Sequence, residues 1–242
     1  MSSNTKKIKL GNKEYLLIDL TQPLNLNSEV YPGDPSPKRK IFSDINKTGW
    51  QHYIHEIGDH NFQPHGDAPN HQNSDLKNTG FEVFGLEYCF NRACLIDLSD
   101  SKNAEEINGI KYLIRVEKEN LEPFSEIISQ VGAVLIRTGY DKWLEKNNPH
   151  LPENLPYLSK DAAEFIASFN KIKVIGIDSL TVDSIGNHIS HQIFKNMLII
   201  EALVHLYEIP LEKGLKFDLQ TSPIKIVGAT GGPIVAYAFV EL

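Results

Sequence analysis

Short apolar runs, bounded by charged or turn-forming residues, dominate the hydrophobic pattern of this chain. Runs of four to eight apolar or alternating positions are typical of strands. Residues 197–201 fit either a strand or a continuing apolar segment. The pattern predicts strands at residues 15–20, 51–57, 93–98, 131–137, 173–177, 197–201, 224–227 and 234–240, with 93–98 and 173–177 buried and 131–137 central in the sheet.

Helical signals are fewer. Ser159 followed by early acidic residues predicts a capped helix over residues 159–166. Residues 189–196 also have a helical pattern, and residues 111–121 fit a strand followed by a helical turn. Because strands outnumber helices, we expect a mixed α/β fold with a substantial mixed sheet.

Length and composition indicate one globular domain. The 242 residues suit a single core, so we expect a flexible polar tail at residues 1–9 and one domain over residues 10–242. The net charge of -7 argues against a nucleic-acid partner. We see no secretory signal and no apolar stretch of about 20 residues that would span a membrane. With two cysteines and no disulfide framework, we expect a cytoplasmic protein without a membrane partner.

The densest candidate chemistry lies in residues 59–71, where three His and two Asp fall within thirteen positions. Imidazoles and carboxylates are the usual nitrogen and oxygen ligands of Zn, Mn and non-haem Fe. His65, Asp67 and His71 occupy alternate positions, and Pro69 disfavours a helix. Alternate side chains of an extended segment share one face. The pattern therefore predicts half of a metal site.

A second set of candidate ligands lies later in the chain. Glu201 falls within an apolar run, where a buried carboxylate is costly unless it is paired or binds a cation. The alternative is a solvated Glu201 on an exposed face. His191 is preferred to His188 because it opens an apolar helix and would be held by packing. Acids and hydroxyls at strand ends often cap the next segment, and this structural role is preferred for Asp178, Ser179 and Asp183.

From about residue 15 to residue 242 the chain resembles the cyclase family of metal-dependent hydrolases, which includes bacterial kynurenine formamidases and isatin hydrolases. The family motif reads His-x-Gly-Thr-His-x-Asp-x-Pro-x-His, and residues 65–71 match its last seven positions. The order of the matching blocks is more specific than any one block. Further blocks lie at residues 134–139, 158–159, 176–179 with Asp183, 190–191, 199–203 and 223–226.

The resemblance implies a mixed β/β/α fold that assembles as a homodimer, a homotetramer or another oligomer. It implies that His65 and Asp67 are metal ligands, and that His191 and Glu201 complete the set. His71 would transfer protons near the metal. Glu201 would ligate the metal or accept the proton of the attacking water.

Two departures from the family pattern leave alternatives open. The first His of the motif falls on Asn61, and its Gly-Thr falls on Gln63-Pro64. His60 would fill the gap through a local bulge, an amide oxygen of Asn61 or Gln63 would ligate weakly, or one metal position is lost. Glu201 also follows His191 by only ten residues, which leaves His188 as a fallback ligand.

These residues favour hydrolysis of a carbon–nitrogen bond in a small amide or cyclic amide, with one or two Zn or Mn ions per chain. A lactone hydrolase or a dehydrating cyclase on the same scaffold is the first alternative. A non-catalytic metal-binding or small-molecule-binding protein is the second. An aromatic substrate would need an aromatic pocket, although core packing is the preferred role of its candidate residues, which are Trp50, Tyr53, Phe62 and Phe81.

Overall fold

The computed structural model describes residues 4–24, 26–27, 30–61, 63–145, 154–212 and 215–242. Its strands are β1 (Thr5–Leu10), β2 (Lys13–Asp19), β3 (Lys38–Ser43), β4 (His52–Glu56), β5 (His65–Asp67), β6 (Phe90–Asp97), β7 (Glu105–Ile107), β8 (Ile110–Tyr112), β9 (Arg115–Val116), β10 (Ala133–Arg137), β11 (Tyr157–Leu158), β12 (Val174–Ile177), β13 (Leu198–Glu201), β14 (Phe217–Pro223) and β15 (Gly231–Glu241). Its helices are α1 (Ile45–Thr48), α2 (Leu86–Cys89), α3 (Lys118–Leu121), α4 (Ser125–Ile128), α5 (Asp141–Glu145), α6 (Lys160–Ala167) and α7 (Ile189–Ile193). The predicted mixed α/β fold is confirmed.

The main sheet closes into a ring in the order β15, β14, β6, β10, β12, β13, β5. The short strand β5 closes it, because β5 pairs with β13 on one edge and with β15 on the other. The four consecutive strands β6, β10, β12 and β13 are parallel, as buried apolar runs predict. Beyond the ring, β2 and then β1 extend the sheet from β15.

Side chains alternate between two cores. On β10, Ala133 and Leu135 join a cluster that draws on six of the seven ring strands and fills the inside of the ring. Val134 and Ile136 point the other way, toward a cluster that includes the apolar face of α6. The Ser159 side chain accepts a hydrogen bond from Ala162 N at 3.2 Å, so the predicted capped helix is confirmed.

A separate hairpin lies outside the ring. It comprises residues 38–56, in which β3 and β4 pair antiparallel around the short helix α1. Nearly all of its residues are exposed. Six of the exposed side chains are large and apolar, namely Ile41, Phe42, Ile45, Trp50, Tyr53 and Ile54. We call these six side chains the hairpin patch.

The predicted flexible tail is wrong for residues 5–9, which belong to β1. This strand pairs with β2 along its whole length, from Thr5 opposite Ile18 to Leu10 opposite Lys13. Gly11, with φ of 59°, provides the turn between them. Most side chains of β1 are polar and exposed, so backbone pairing creates a strand that the hydrophobic pattern does not show. Residues 1–3 lie outside the described residues.

Two other boundaries differ from prediction. The strand predicted at residues 224–227 is wrong, because β14 ends at Pro223 and Ile226 N then bonds to Ile224 O in a turn. Proline has no N–H to continue a ladder. The helix predicted at residues 189–196 ends at Ile193. In the part of the chain that the structure describes, no helix is long and apolar enough to cross a bilayer.

Candidate metal centre

The centre is built on β5, whose residues His65 and Asp67 face outward from the ring. Gly66 between them faces the inner core, where an added Cβ would lie 2.4 Å from Ile234 Cδ1. Pairing with β13 places Glu201 directly opposite His65. Directly paired residues of antiparallel strands share a face, so one strand from each half of the chain contributes to the same patch.

His71 reaches the same patch by a different route from the predicted one. The extended conformation holds for residues 65–67, but the chain then turns, with His71 N bonding to Ala68 O at 2.9 Å. The His71 ring nevertheless lies 4.0 Å from the His60 ring and 5.5 Å from the His191 ring, measured between centroids. The predicted extended segment is therefore wrong beyond Asp67, whereas the predicted proximity of His71 holds.

His191 is held from both sides. Its Nε2 lies 3.0 Å from Asp67 Oδ2, and its Nδ1 lies 2.7 Å from Asp183 Oδ2. Asp183 also accepts backbone N–H bonds from Ser190 and His191 at the start of α7. A carboxylate behind a candidate ligand imidazole fixes its orientation. Asp183 therefore combines the capping role predicted for it with a positioning role that the sequence did not reveal.

Glu201 is buried, as its apolar neighbours predicted. Its Oε2 lies 3.3 Å from His65 Nε2, and its Oε1 lies 3.5 Å from His191 Nε2. Val182 N donates a hydrogen bond of 2.6 Å to Oε1. Burial, reinforced by the nearby Asp67 carboxylate, raises the pKa of Glu201 to about 6. The predicted alternative of a solvated Glu201 is wrong.

Electrostatics differ among the remaining groups. Burial alone would raise the pKa of Asp67, but the hydrogen bond from His191 and the nearby His71 hold that pKa well below its ordinary value. Burial opposes protonation of His191, yet its bonds to Asp183 and Asp67 raise its pKa to about 10. Burial lowers the pKa of His71 to about 4 and also lowers the pKa of His60. Neutral and charged imidazoles thus lie side by side.

His60 also joins the centre. Its Nε2 lies 3.4 Å from Asp67 Oδ1, and His65 Nε2 lies 3.7 Å from the same oxygen. Both His60 Nε2 and Asp67 Oδ1 are buried without a hydrogen-bond partner among the described residues. Buried polar atoms are normally satisfied, and a nitrogen and an oxygen donor left in this way suit a cation. The residues present therefore fit a divalent metal ion.

A cavity of about 180 Å³ opens onto this centre. His188 is among its lining residues, but it is exposed at the start of α7 and lies outside the buried cluster. The cavity is lined by Tyr31, Asp34, His60, His65, His71, Gln72, Leu180, Thr181, Asn187, His188, His191 and Glu201.

The predicted aromatic residues lie elsewhere. Trp50 and Tyr53 are exposed on the hairpin, and Phe81 is fully buried in the inner core. Phe62 lies outside the described residues. Asp178, for which a structural role was preferred, accepts hydrogen bonds from the backbone of Thr138 and Gly139, as a structural residue would.

Comparison with known proteins adds the family. The profile of the Cyclase family, described as "Putative cyclase", matches residues 18–184. Kynurenine formamidase of Bacillus cereus is 28% identical over 224 residues, which cover 90% of this chain and 95% of that protein. Cyclase-like protein 2 of Arabidopsis thaliana is 26% identical over 180 residues, which cover 70% of this chain and 58% of that protein.

Solved structures share the fold. An isatin hydrolase bound to the product analogue thioisatinate superposes with a TM-score of 0.76 at 20% identity, covering 93% of this chain and 92% of that chain. A structure titled "predicted metal-dependent hydrolase from Bacillus stearothermophilus" gives a TM-score of 0.67 at 19% identity, covering 92% and 97% of the two chains. The family match spans more than half of the sequence, so this chain belongs to the Cyclase family.

Proposed function

We propose that this chain is a metal-dependent hydrolase that cleaves the carbon–nitrogen bond of a small amide or cyclic amide. One observation carries the proposal, which is the convergence of His65, Asp67, His191 and Glu201 in one buried cluster beside a cavity. Family membership and the names of two relatives, a kynurenine formamidase and an isatin hydrolase, support the same reaction class.

Asp67 is placed to serve two donor sets, because its oxygens face different partners. Oδ1 faces His65 at 3.7 Å, while Oδ2 faces His191 at 3.0 Å. Glu201 likewise divides its oxygens between His65 and His191. The nitrogen and oxygen donors accept either Zn or Mn. His65, Asp67, His191 and Glu201 would hold the metal, whether one ion or two.

A divalent ion at these donors supplies a coordinated water of lowered pKa and polarises a carbonyl. The chain itself handles the protons. His71 is neutral at pH 7 because burial holds its pKa near 4, so its ring can take the proton of the attacking water. It then passes that proton to the nitrogen as the carbon–nitrogen bond breaks. Gln72 Nε2 donates to His71 Nε2 at 3.0 Å, and this hydrogen bond must open before that nitrogen takes the proton.

Glu201 has either of two roles in this scheme. As an ionised carboxylate it is a ligand, together with its neighbours His65 and His191. With its pKa raised to about 6, it also accepts a proton more readily than an exposed Glu and is the second acceptor for the proton of the attacking water.

The cavity volume of about 180 Å³ supports a small molecule as the substrate. Apart from histidines, Tyr31 is the aromatic residue in the lining that the structure describes. The proposal of an aromatic substrate therefore rests on the named relatives more than on the lining. We also propose a homodimer or homotetramer, which the exposed hairpin patch supports. A cytoplasmic location stays a prediction from the sequence.

The function is tested with metal-loaded protein on an aryl formamide, a cyclic amide and a lactone. We expect hydrolysis of the amides, and loss of at least about 100-fold in Asp67→Asn. Asp100→Asn is the matched control, because Asp100 is exposed and its carboxylate pairs with Lys111 at 3.3 Å rather than with the described residues of the centre. Turnover of the lactone alone would favour the lactone hydrolase. A metal-loaded protein inert to all three substrates would favour the binding protein.

A further inference from the structure

We infer that His60 is a further ligand of the proposed divalent cation, and that Asp59, Thr230 and Gly231 fix the position of its ring. The inference rests on the proposed function and adds both a donor and the residues that position it. It concerns cation binding, which can be measured separately from hydrolysis.

The first observation is the unsatisfied pair of atoms between His60 and Asp67. The two side chains are 17% and 1% exposed, and His60 Nε2 lies 3.4 Å from Asp67 Oδ1 without either atom having a hydrogen-bond partner. The backbone of Thr230 also contacts the His60 ring. A nitrogen and an oxygen buried at this distance without hydrogen-bond partners are suited to hold a cation between them.

The second observation is how the loop before β5 is fastened. Asp59 Oδ2 accepts hydrogen bonds from Thr230 N and from Thr230 Oγ1, both at 2.9 Å. These bonds attach the loop to the residue that precedes β15. Because Asp59 is adjacent to His60 in the chain, the same bonds fix the backbone from which the imidazole projects.

The third observation is the absence of a side chain at Gly231, which leaves the space that the His60 ring occupies. A Cβ at this position would lie 2.6 Å from His60 Nε2 and 2.6 Å from Gly66 O. Such distances are too short for any real contact, so a side chain here would displace the ring or β5. Gly231 is paired with Asp67 across the sheet, which brings the ring to the ligand oxygen.

Asn61 stabilises the loop instead of facing Asp67. Its Oδ1 accepts a hydrogen bond of 2.7 Å from Gly58 N, and its own N–H bonds to Gly58 O. The amide oxygen is therefore committed to the loop, and the turn that it stabilises directs residue 60 toward Asp67. Between Asn61 and His60, the geometry favours His60 as the residue that fills this motif position.

The test is calorimetric titration of chelator-stripped protein with Zn or Mn, checked by elemental analysis. We expect two equivalents per chain in the wild type and one in His60→Ala. Gly231→Ala removes no donor but should weaken the second equivalent, by about 10–100-fold as for an outer-shell partner. His55→Ala is the control, because His55 is an exposed histidine on β4 and should bind like the wild type.

Circular dichroism of the metal-free proteins checks that each variant folds. Asn61→His placed in the His60→Ala background should not restore the second equivalent, because position 61 faces Gly58. Wild-type stoichiometry in both His60→Ala and Gly231→Ala would overturn the inference and leave the hydrolase proposal intact. A wild type that binds neither ion would overturn both.

Discussion

At the scale of single residues, Asp183 marks the limit of what the sequence shows. The motif around Asp67 and the isolated Glu201 could be found from residue type and spacing, because a cluster of ligands and a carboxylate in an apolar run are local signals. The contact of 2.7 Å between Asp183 and His191 depends on how the loop folds back onto α7. No spacing rule encodes that contact. Ligands that lie close together in the sequence can thus be predicted, whereas a contact made when a loop folds back cannot.

Arg137 carries a stability prediction. Its Nε lies 3.0 Å from Asp141 Oδ2, and its Nη1 lies 2.6 Å from Asp97 Oδ2, with all three side chains largely buried. Arg137→Met removes the cation and leaves buried carboxylates unpaired, so the free energy of unfolding should fall by about 3–5 kcal/mol. Urea unfolding followed by circular dichroism measures the change.

The control for Arg137 is an exposed ion pair. Lys13 Nζ lies 2.8 Å from Glu241 Oε2, but both side chains are open to solvent, so Lys13→Met should leave the urea midpoint unchanged. Equal effects of the two substitutions on the urea midpoint would show that burial does not determine how much these ion pairs stabilise the fold.

Cys94 carries a reactivity prediction. Burial raises the pKa of its thiol to about 12, so at pH 8 only roughly one molecule in ten thousand holds the thiolate. Cys89 is only partly buried. Ellman's reagent should therefore modify one thiol in native protein and two in urea, and native Cys89→Ser should be inert. Because the thiolate fraction grows about tenfold per pH unit below the pKa, any slow reaction of Cys94 should accelerate as pH rises.

At the scale of elements, the sequence predicts what is buried and misses what is held by backbone pairing alone. The apolar runs at β10 and β12 are clear because both faces of each strand are covered. β1 carries three exposed lysines, and its pairing with β2 makes it a strand. Residues 224–227 show the converse, since their apolar side chains follow Pro223 into an exposed turn. Apolar character without a partner strand does not make a strand.

β5 gives the element-scale prediction, because its glycine faces the inner core while its neighbours face the metal centre. A Cβ in Gly66→Ala would lie 2.4 Å from Ile234 Cδ1, 3.0 Å from Phe81 Cε2 and 3.1 Å from Leu198 Cδ1. Overpacking of this kind typically costs about 1–3 kcal/mol. Because the strain must move β5, we expect weaker Zn or Mn binding as well, measured by calorimetry on the folded variant.

Gly176→Ala is the matched control for β5. Its Cβ would lie 2.5 Å from Leu135 Cδ2 and 2.6 Å from Leu203 Cδ1, so it overpacks the same inner core. It lies on β12, which carries none of the proposed ligands. Both variants should lower the unfolding midpoint, and only Gly66→Ala should lower metal affinity. Loss of affinity in both would mean that the centre responds to core strain in general.

At the scale of the whole molecule, closure of the ring brings the two halves of the centre together. β5 lies early in the chain and β13 late, yet pairing of His65 with Glu201 makes them neighbours. The order of matching blocks predicted both halves, but it could not predict that β5 also pairs with β15. That pairing places Gly231 and Thr230 beside the centre, and only the closed ring shows it.

The last prediction concerns assembly. The hairpin patch exposes Phe42 and Trp50 by 63% and 50%, with ring centroids 6.1 Å apart. Contiguous exposed apolar side chains favour an interface, so the wild type should sediment as a dimer or tetramer, and Phe42→Asp with Trp50→Ser should shift it to a monomer. Leu86→Asp is the control, because Leu86 is 86% exposed in α2 and outside the patch. A monomeric wild type would rule out the hairpin as the interface. So would an oligomer that persists in the double variant and dissociates in Leu86→Asp.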